Sequence, residues 1–451
     1  MTEPKQPPEE RSEGDVNLSP RRDAWAEQQI DEKTAALLAE DAHYFLHQSL
    51  STPCLNALQG SEGIYLEDLQ GRQIMDFHGN SVHQVGHGHP KVIQAIKEQL
   101  DTLPFCPRRY TNQVAVDLAR RLVELAPGDL DKVLFAPGGT SAIGMALKLA
   151  RYATGQHKTI SMWDSFHGAS LDAISIGGEA LFRKNVGPLL PGTEHIPPPT
   201  RGKCLFNCTD DEHDGCIEYL EYVLSMQGDV AAIIAEPMRW TTVELPPASY
   251  WRRVRELCDR YSALLIFDEI PSALGRTGKM FVCEHFNVVP DMLVIGKGLG
   301  GGIFPMAALI AKSELDITKD RALGHYTHEK SSVGCAAALA TLDCLIDEKL
   351  IENSITLGNY ALDRLGALQQ ELDIIYEVRG LGLHIGIELR RDGEPANDEA
   401  DTVLYHSLAR GLSYKVGGGC VLTLCPPMTI TRQQLDEALD IVEEGIRSLS
   451  S

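Results

Sequence analysis

What the chain lacks narrows its possibilities first. It has no apolar run long enough to cross a bilayer and no signal-peptide pattern at its start, so no membrane association and no secretion are expected. Basic side chains are outnumbered, 41 against 63 acidic ones; the net charge of −22 repels nucleic acid and anionic membranes, and neither is expected as a partner. Eleven cysteines in 451 residues fall short of a disulfide-stapled scaffold and point to a reduced cytoplasm. No internal repeat is visible, and the only biased tract is the Pro-, Glu- and Ser-rich start, which predicts a disordered arm over 1–20. What is there is a hydrophobic content of 43%, enough for a large core divided between two or more domains. The acidic balance has a corollary: any anionic substrate must be held by a few placed cations or amides against an unfavourable overall field.

Two apolar runs carry the first chemistry. Leu264-Leu265-Ile266-Phe267 leads into Asp268-Glu269, and Leu293-Val294-Ile295-Gly296 leads into Lys297, followed by Gly298, Gly300, Gly301 and Gly302. Both read as strands whose ends face one cleft. A flat ligand can approach an amine set among glycines, and local electrostatics can deprotonate it, as Schiff-base chemistry requires. A nearby carboxylate can keep a pyridinium nitrogen protonated. Taken alone, the run also fits a solvated lysine after a buried strand. Gly138-Gly139-Thr140 precedes the helical stretch Ala142 to Arg151, so its amides suit either a phosphate or an ordinary helix cap.

Strand-like Lys132 to Phe135, Val230 to Ile234 and Leu264 to Phe267 alternate with helical stretches such as Tyr250 to Tyr261. This predicts an α/β fold, a mostly parallel sheet covered by helices with ligands beyond the strand carboxyl ends. A smaller α/β portion is expected from Ala336 to the end, opening with a helix over Ala336 to Asp347. Ile64 to Asp76 reads as a hairpin turning at Gln70-Gly71.

The polar punctuation falls in a recognisable order: Asp76-Phe77-His78-Gly79-Asn80, Gly86-His87-Gly88-His89-Pro90, Gly138-Gly139-Thr140, Phe166-His167-Gly168, Glu236-Pro237, Asp268-Glu269-Ile270, Gly275-Arg276-Thr277-Gly278, Lys297 and Pro426-Pro427. Over roughly residues 35–448 the chain resembles the class III aminotransferases, which use pyridoxal phosphate. The resemblance implies a fold-type I enzyme, a homodimer with active sites at the subunit interface. A large cofactor domain is expected over 76–335, a small domain over 336–451, and an N-terminal segment, 21–75, packing with the latter. The implied roles are Lys297 for the Schiff base, Asp268 at the ring nitrogen, and Phe166 and Ile270 on the two ring faces. Gly139 and Thr140 would hold the phosphate, with His167 and Glu236 beside the ring and Thr327 reaching the partner's phosphate.

Departures from the family are as informative. Thr423 stands where the family carries the arginine that clamps an α-carboxylate, and a hydroxyl cannot supply that bidentate fork. Pro271 replaces a glutamine, and Arg239 is a new cation. Arg108-Arg109-Tyr110 adds two more cations in a loop that the family sets near the pocket mouth; the two arginines also fit plain surface ion pairs. These runs look most similar to the branch of the family that acts as hydroxyaminoethylphosphonate ammonia-lyases. The branch resemblance implies an aminophosphonate substrate bound by Asn80, His83, Arg108, Arg109, Tyr110 and Arg239, with His83 or Tyr110 protonating a departing hydroxyl. An aminotransferase for an amine or unusual amino acid, and a catalytically silent cofactor-binding regulator, are the alternatives.

No metal is expected. Cys204, Cys208, His213 and Cys216 are zinc-type ligands, but their 3-4-2 intervening residues match no regular finger. His83, His87 and His89 look ligand-like, but the family resemblance implies that Gly86-His87-Gly88-His89-Pro90 is a structural turn, with His83 set apart to face the substrate.

Overall fold

A computed structural model describes residues 19–49, 51–200, 204–208 and 212–450. Residues 1–18 of the expected arm lie outside these, and Pro20 already opens the helix Pro20–Gln29, as proline at a first helical turn readily does.

The predicted helices and strands lie where the sequence sets them. Ala142 to Arg151 falls within Gly139–Thr154, Tyr250 to Tyr261 within Ala248–Tyr261, and Ala336 to Asp347 within Ser332–Asp347. The central sheet has seven strands in the order Leu130–Ala136, Ala307–Lys312, Met292–Ile295, Leu264–Asp268, Val230–Ala235, Lys158–Met162, Thr193–Ile196. Only Ala307–Lys312 runs antiparallel to its neighbours. Its inner strands Val230–Ala235 and Met292–Ile295 are apolar on both faces because both are covered. Ile233, Leu265 and Leu293 join the core that holds Trp251 and Leu342, while Ile234, Ile266 and Val294 meet Ile143, Ala146 and Ala150 of the Gly139–Thr154 helix.

Two smaller sheets flank it. Ile375–Leu381, His384–Arg391, Val421–Leu424 and Lys415–Gly417 form one, extended by Glu394–Pro395. The other begins with Leu58–Glu62, which pairs with the hairpin at Gln70-Gly71, whose strands Tyr65–Asp68 and Gln73–Asp76 pair antiparallel. This sheet draws on both ends of the chain, for Gln73–Asp76 pairs in parallel with Leu412–Ser413. The junction is tight: Met75 N donates to Gly411 O at 2.8 Å, Phe77 N to Ser413 O at 2.7 Å and Cys425 N to Phe77 O at 2.8 Å.

Candidate active site

A cavity of about 560 Å³ opens beyond the carboxyl ends of the central strands, where an open α/β sheet leaves room for a ligand. Asp268 closes its strand, and Lys297 follows Met292–Ile295 by one glycine; both line the cavity. Lys297 adopts φ 46°, a left-handed conformation uncommon for a residue with a side chain. Burial lowers the pKa of its amine, against the opposing charges of Glu236 and Asp268. Behind Asp268, His167 Nδ1 lies 2.8 Å from Oδ2, and the amide of Ile270 donates to Oδ1 at 3.1 Å. The carboxylate is therefore fixed in direction before any ligand arrives.

The helix Gly139–Thr154 starts at the cavity, and its cap residue Gly138 offers no side chain to its amides. They and the positive end of the helix dipole remain available to an anion. Close packing fixes this end: a Cβ at Gly139 would stand 2.7 Å from Ile270 Cδ1, and one at Gly168 would stand 2.5 Å from Thr140 Oγ1. At Gly138 a Cβ would meet nothing within 4 Å and would project into open space. Thr140 Oγ1 and Ser170 Oγ are 2.6 Å apart. Phe166 and Ile270 supply apolar walls, and Phe182 leans on Phe166 with ring centroids 4.5 Å apart. A buried amine, a fixed carboxylate, a flat apolar slot and a helix start suit the aldehyde, ring nitrogen, ring faces and phosphate of pyridoxal phosphate.

Matched against known proteins, residues 47–446 fit the family model described as aminotransferase class-III. The chain belongs to this family. Its cofactor is pyridoxal phosphate, which the residues lining the pocket fit. Among characterised relatives it is 48% identical, over 97% of its own length and 95% of the relative's, to (R)-1-hydroxy-2-aminoethylphosphonate ammonia-lyase of Vibrio splendidus. It is 31% identical to an alanine/serine racemase of Pyrococcus horikoshii, covering 85% and 84% of the two chains. An amine transaminase from an uncultivated Pseudomonas species, solved with its cofactor bound, superposes with a TM-score of 0.84 at 30% identity, covering 90% and 98% of the chains.

Several expected substrate residues lie elsewhere. His83 does not line the cavity: its Nε2 is 3.0 Å from the Asp76 carbonyl oxygen, and its ring lies where a Cβ on Gly79 would stand, 2.4 Å away. Burial pushes its pKa down to about 3, so it is neutral and no proton donor. The histidine motif is scaffold, with His87 Nε2 3.0 Å from Asp76 Oδ2 and His89 turned to Glu348. Tyr110 is 66% exposed, and neither it nor Arg108 or Arg109 lines the cavity of its own chain. Arg108 instead meets the ring of His325, and Phe105 meets His328 at 5.2 Å, so this loop packs beside Thr327, which also lies away from the cavity.

Arg239 does line the cavity, but it is not available as an anion clamp. Its guanidinium donates to Glu236 Oε1 at 2.5 Å and to Glu179, with Asp164 Oδ2 3.8 Å from Nε. Glu236 also accepts the Trp240 amide at 3.0 Å. Arg239 thus ties the cofactor-side carboxylate in place.

Asn80 is on the wall as expected, and so are two residues the sequence reading missed, His78 and Lys415. Burial lowers the pKa of His78; Asp76 opposes this and Lys297 adds to it. Lys415 sits opposite Thr423 in the register of two antiparallel strands, so their side chains share one face. Thr423 is 2% exposed and spends its hydroxyl on the Thr241 carbonyl oxygen at 2.9 Å. Lys415 therefore presents an amine beside the place where the family's carboxylate arginine would stand. The glycine run 417–419 between apolar residues was a hairpin signal that could have located it.

Proposed function

We propose that the chain is a pyridoxal-phosphate-dependent ammonia-lyase that converts (R)-1-hydroxy-2-aminoethylphosphonate to phosphonoacetaldehyde and ammonia. The observation that carries the reading is the exchange at one wall of the cavity. The arginine position is taken by Thr423, turned to Thr241, and the amine of Lys415 comes from the facing strand. The fork that grips an α-carboxylate bidentately is gone, and an ammonium with three rotatable donors can hold a phosphonate as a point charge. The near full-length identity to the Vibrio enzyme supports the same substrate.

The residues divide the work. Gly139 and Thr140 bind the cofactor phosphate at the helix start, and Phe166 and Ile270 confine the ring. Asp268, aimed by His167, keeps the ring nitrogen protonated. When bound, pyridoxal phosphate supplies an electron sink joined to the substrate nitrogen. Lys415 holds the phosphonate and sets which face of the amine-bearing carbon meets Lys297. Lys297 Nζ, whose pKa burial lowers, takes the proton from that carbon. The resulting ammonium gives it to the hydroxyl on the neighbouring carbon, which leaves as water. His78, its pKa lowered by burial and by Lys297, is poorly suited to be the acid. Hydrolysis of the released enamine consumes one water, yields ammonia and the aldehyde, and needs no amino acceptor.

The chain is read as a cytoplasmic homodimer. Support comes from exposed Phe105 and Tyr110 in the loop packed beside Thr327, a surface that suits a partner's cavity better than water. The large cofactor domain spans 76–335, and the small domain is built from both chain ends, 21–75 packing with 336–451. The test of the activity is to supply the hydroxyaminophosphonate with cofactor and no keto acid, then measure free ammonia and aldehyde. Ammonia that forms only when pyruvate or 2-oxoglutarate is added sinks the lyase reading in favour of transamination.

A further inference from the structure

The four zinc-type ligands that spacing argued against are gathered at one point. One ligand atom from each of Cys204, Cys208, His213 and Cys216 lies within 4.8 Å of every other. Cys208 Sγ is 3.9 Å from Cys216 Sγ, His213 Nδ1 is 3.5 Å from Cys216 Sγ, and Cys204 Sγ is 3.2 Å from Cys216 Sγ. Zinc binds thiolate at ~2.3 Å and imidazole at ~2.0 Å, so a tetrahedron has edges of roughly 3.8 Å between sulfurs and roughly 3.5 Å from sulfur to nitrogen. Two of the three distances fall close to these values, and the third, at 3.2 Å, must open by roughly 0.6 Å. The spacing rule describes fingers, in which each ligand pair comes from one knuckle or helix; here a loop and a helix start bring two of the four residues each.

We infer that Cys204, Cys208, His213 and Cys216 form a structural zinc site that pins the loop around Cys204–Cys208 to the start of the Asp214–Gln227 helix.

The surroundings are those of a metal-bound thiolate cluster. His213 is the residue that precedes the helix and Cys216 lies in its first turn, so developing negative charge sits at the positive end of a helix dipole. His213 and Cys216 are buried, and three thiols crowded against an imidazole gain little from one another unless a cation joins them. A disulfide is a poorer account: the closest sulfurs are well beyond the ~2.05 Å bond, and pairing any two strands the third thiol and the ring. Gly215 permits the approach, since a Cβ there would stand 2.7 Å from Phe206 Cβ. None of the four residues lines the cofactor cavity, and a chain of contacts leads from one to the other. The His213 ring meets Tyr250 edge-on at 6.1 Å, Tyr250 meets Trp251 at 5.0 Å, and Trp251 Nε1 donates to Pro237 O, beside Glu236.

The test is metal analysis of the purified full-length holoenzyme, with Cys208→Ser as the variant and Cys54→Ser, far along the chain, as the control. About one zinc per chain is expected in wild type and control after dialysis against a weak chelator, and none in Cys208→Ser. The variant should melt at least about 5 °C lower. Should Cys208→Ser not fold, cobalt(II) added to reduced, zinc-stripped wild type reads the same ligands through the visible bands of a tetrahedral cobalt–thiolate centre. The inference is overturned by wild type that holds no zinc after growth in zinc-supplemented medium and shows no cobalt–thiolate bands. It is equally overturned by zinc that persists in a folded Cys208→Ser protein, by iron in place of zinc, or by a Cys204–Cys216 disulfide in the reduced preparation. None of these outcomes depends on the lyase reading, because none is scored by activity.

Discussion

Replacing Lys415 with methionine removes the amine while keeping much of the side chain's length and apolar stem. The proposed function places the phosphonate on Lys415, which lines the cavity across the strand pair from Thr423. Losing one charge-assisted, partly desolvated pair costs about 2–4 kcal/mol, or roughly 30- to 1000-fold in kcat/KM. We expect that loss in Lys415→Met with the visible cofactor band unchanged, and recovery to within about tenfold in Lys415→Arg, which restores charge but not the compact geometry. A pH signature goes with it. Burial pulls the Lys415 amine down to about 7, so the free enzyme carries the charge below that pH and loses it above. Wild-type kcat/KM for the hydroxyaminophosphonate should therefore fall as pH rises through neutrality, and Lys415→Arg should flatten that limb because guanidinium stays protonated. Stopped assays of ammonia release across pH 6–9 read both effects. A Lys415→Met enzyme within threefold of wild type would refute the assignment and return attention to loops contributed by a partner subunit.

The other expectations concern residues already placed. Lys297→Ala should abolish turnover and the borohydride-reducible cofactor adduct; peptide mapping that finds an adduct at another lysine would overturn its role. Asp268→Asn should lower turnover by at least about 100-fold with cofactor still bound, since an amide no longer favours a protonated ring nitrogen; steady-state rates with bound cofactor quantified will decide. Arg239→Gln leaves Glu179 and Glu236 without their shared cation, so it should lower the melting temperature and cofactor retention instead of raising KM selectively. Thr423→Arg should not create transamination with 2-oxoglutarate, because Lys415 already occupies the facing position.

The cofactor half of the site was readable because it is written in local punctuation. A polar residue ending an apolar strand, as Asp268 and Lys297 do, and glycines opening a helix, as at Gly139, keep their meaning wherever the chain goes. The substrate half depends on distances no spacing carries. Arg239 looked like a free cation because its partners Glu179 and Asp164 are remote in sequence, and His83 looked exposed to substrate because nothing local reveals the Asp76 carbonyl it faces. Lys415 was hidden by the opposite error: it lies in a short strand whose register with Thr423 gives it meaning. Spacing was equally silent on the gathering of Cys204, Cys208, His213 and Cys216, which a loop and a helix start bring to one point.

The junction where Gln73–Asp76 pairs with Leu412–Ser413 also bears on synthesis. A ribosome delivers the early strand more than 300 residues before its partner, so the cofactor pocket's amino-terminal wall stands on an unpaired edge for most of translation. At about 5–20 residues per second that exposure lasts on the order of tens of seconds. Asp76, Phe77 and His78 reach their final positions only after Gly411, Ser413 and Cys425 have emerged, and the nascent chain must be kept from self-association through that interval.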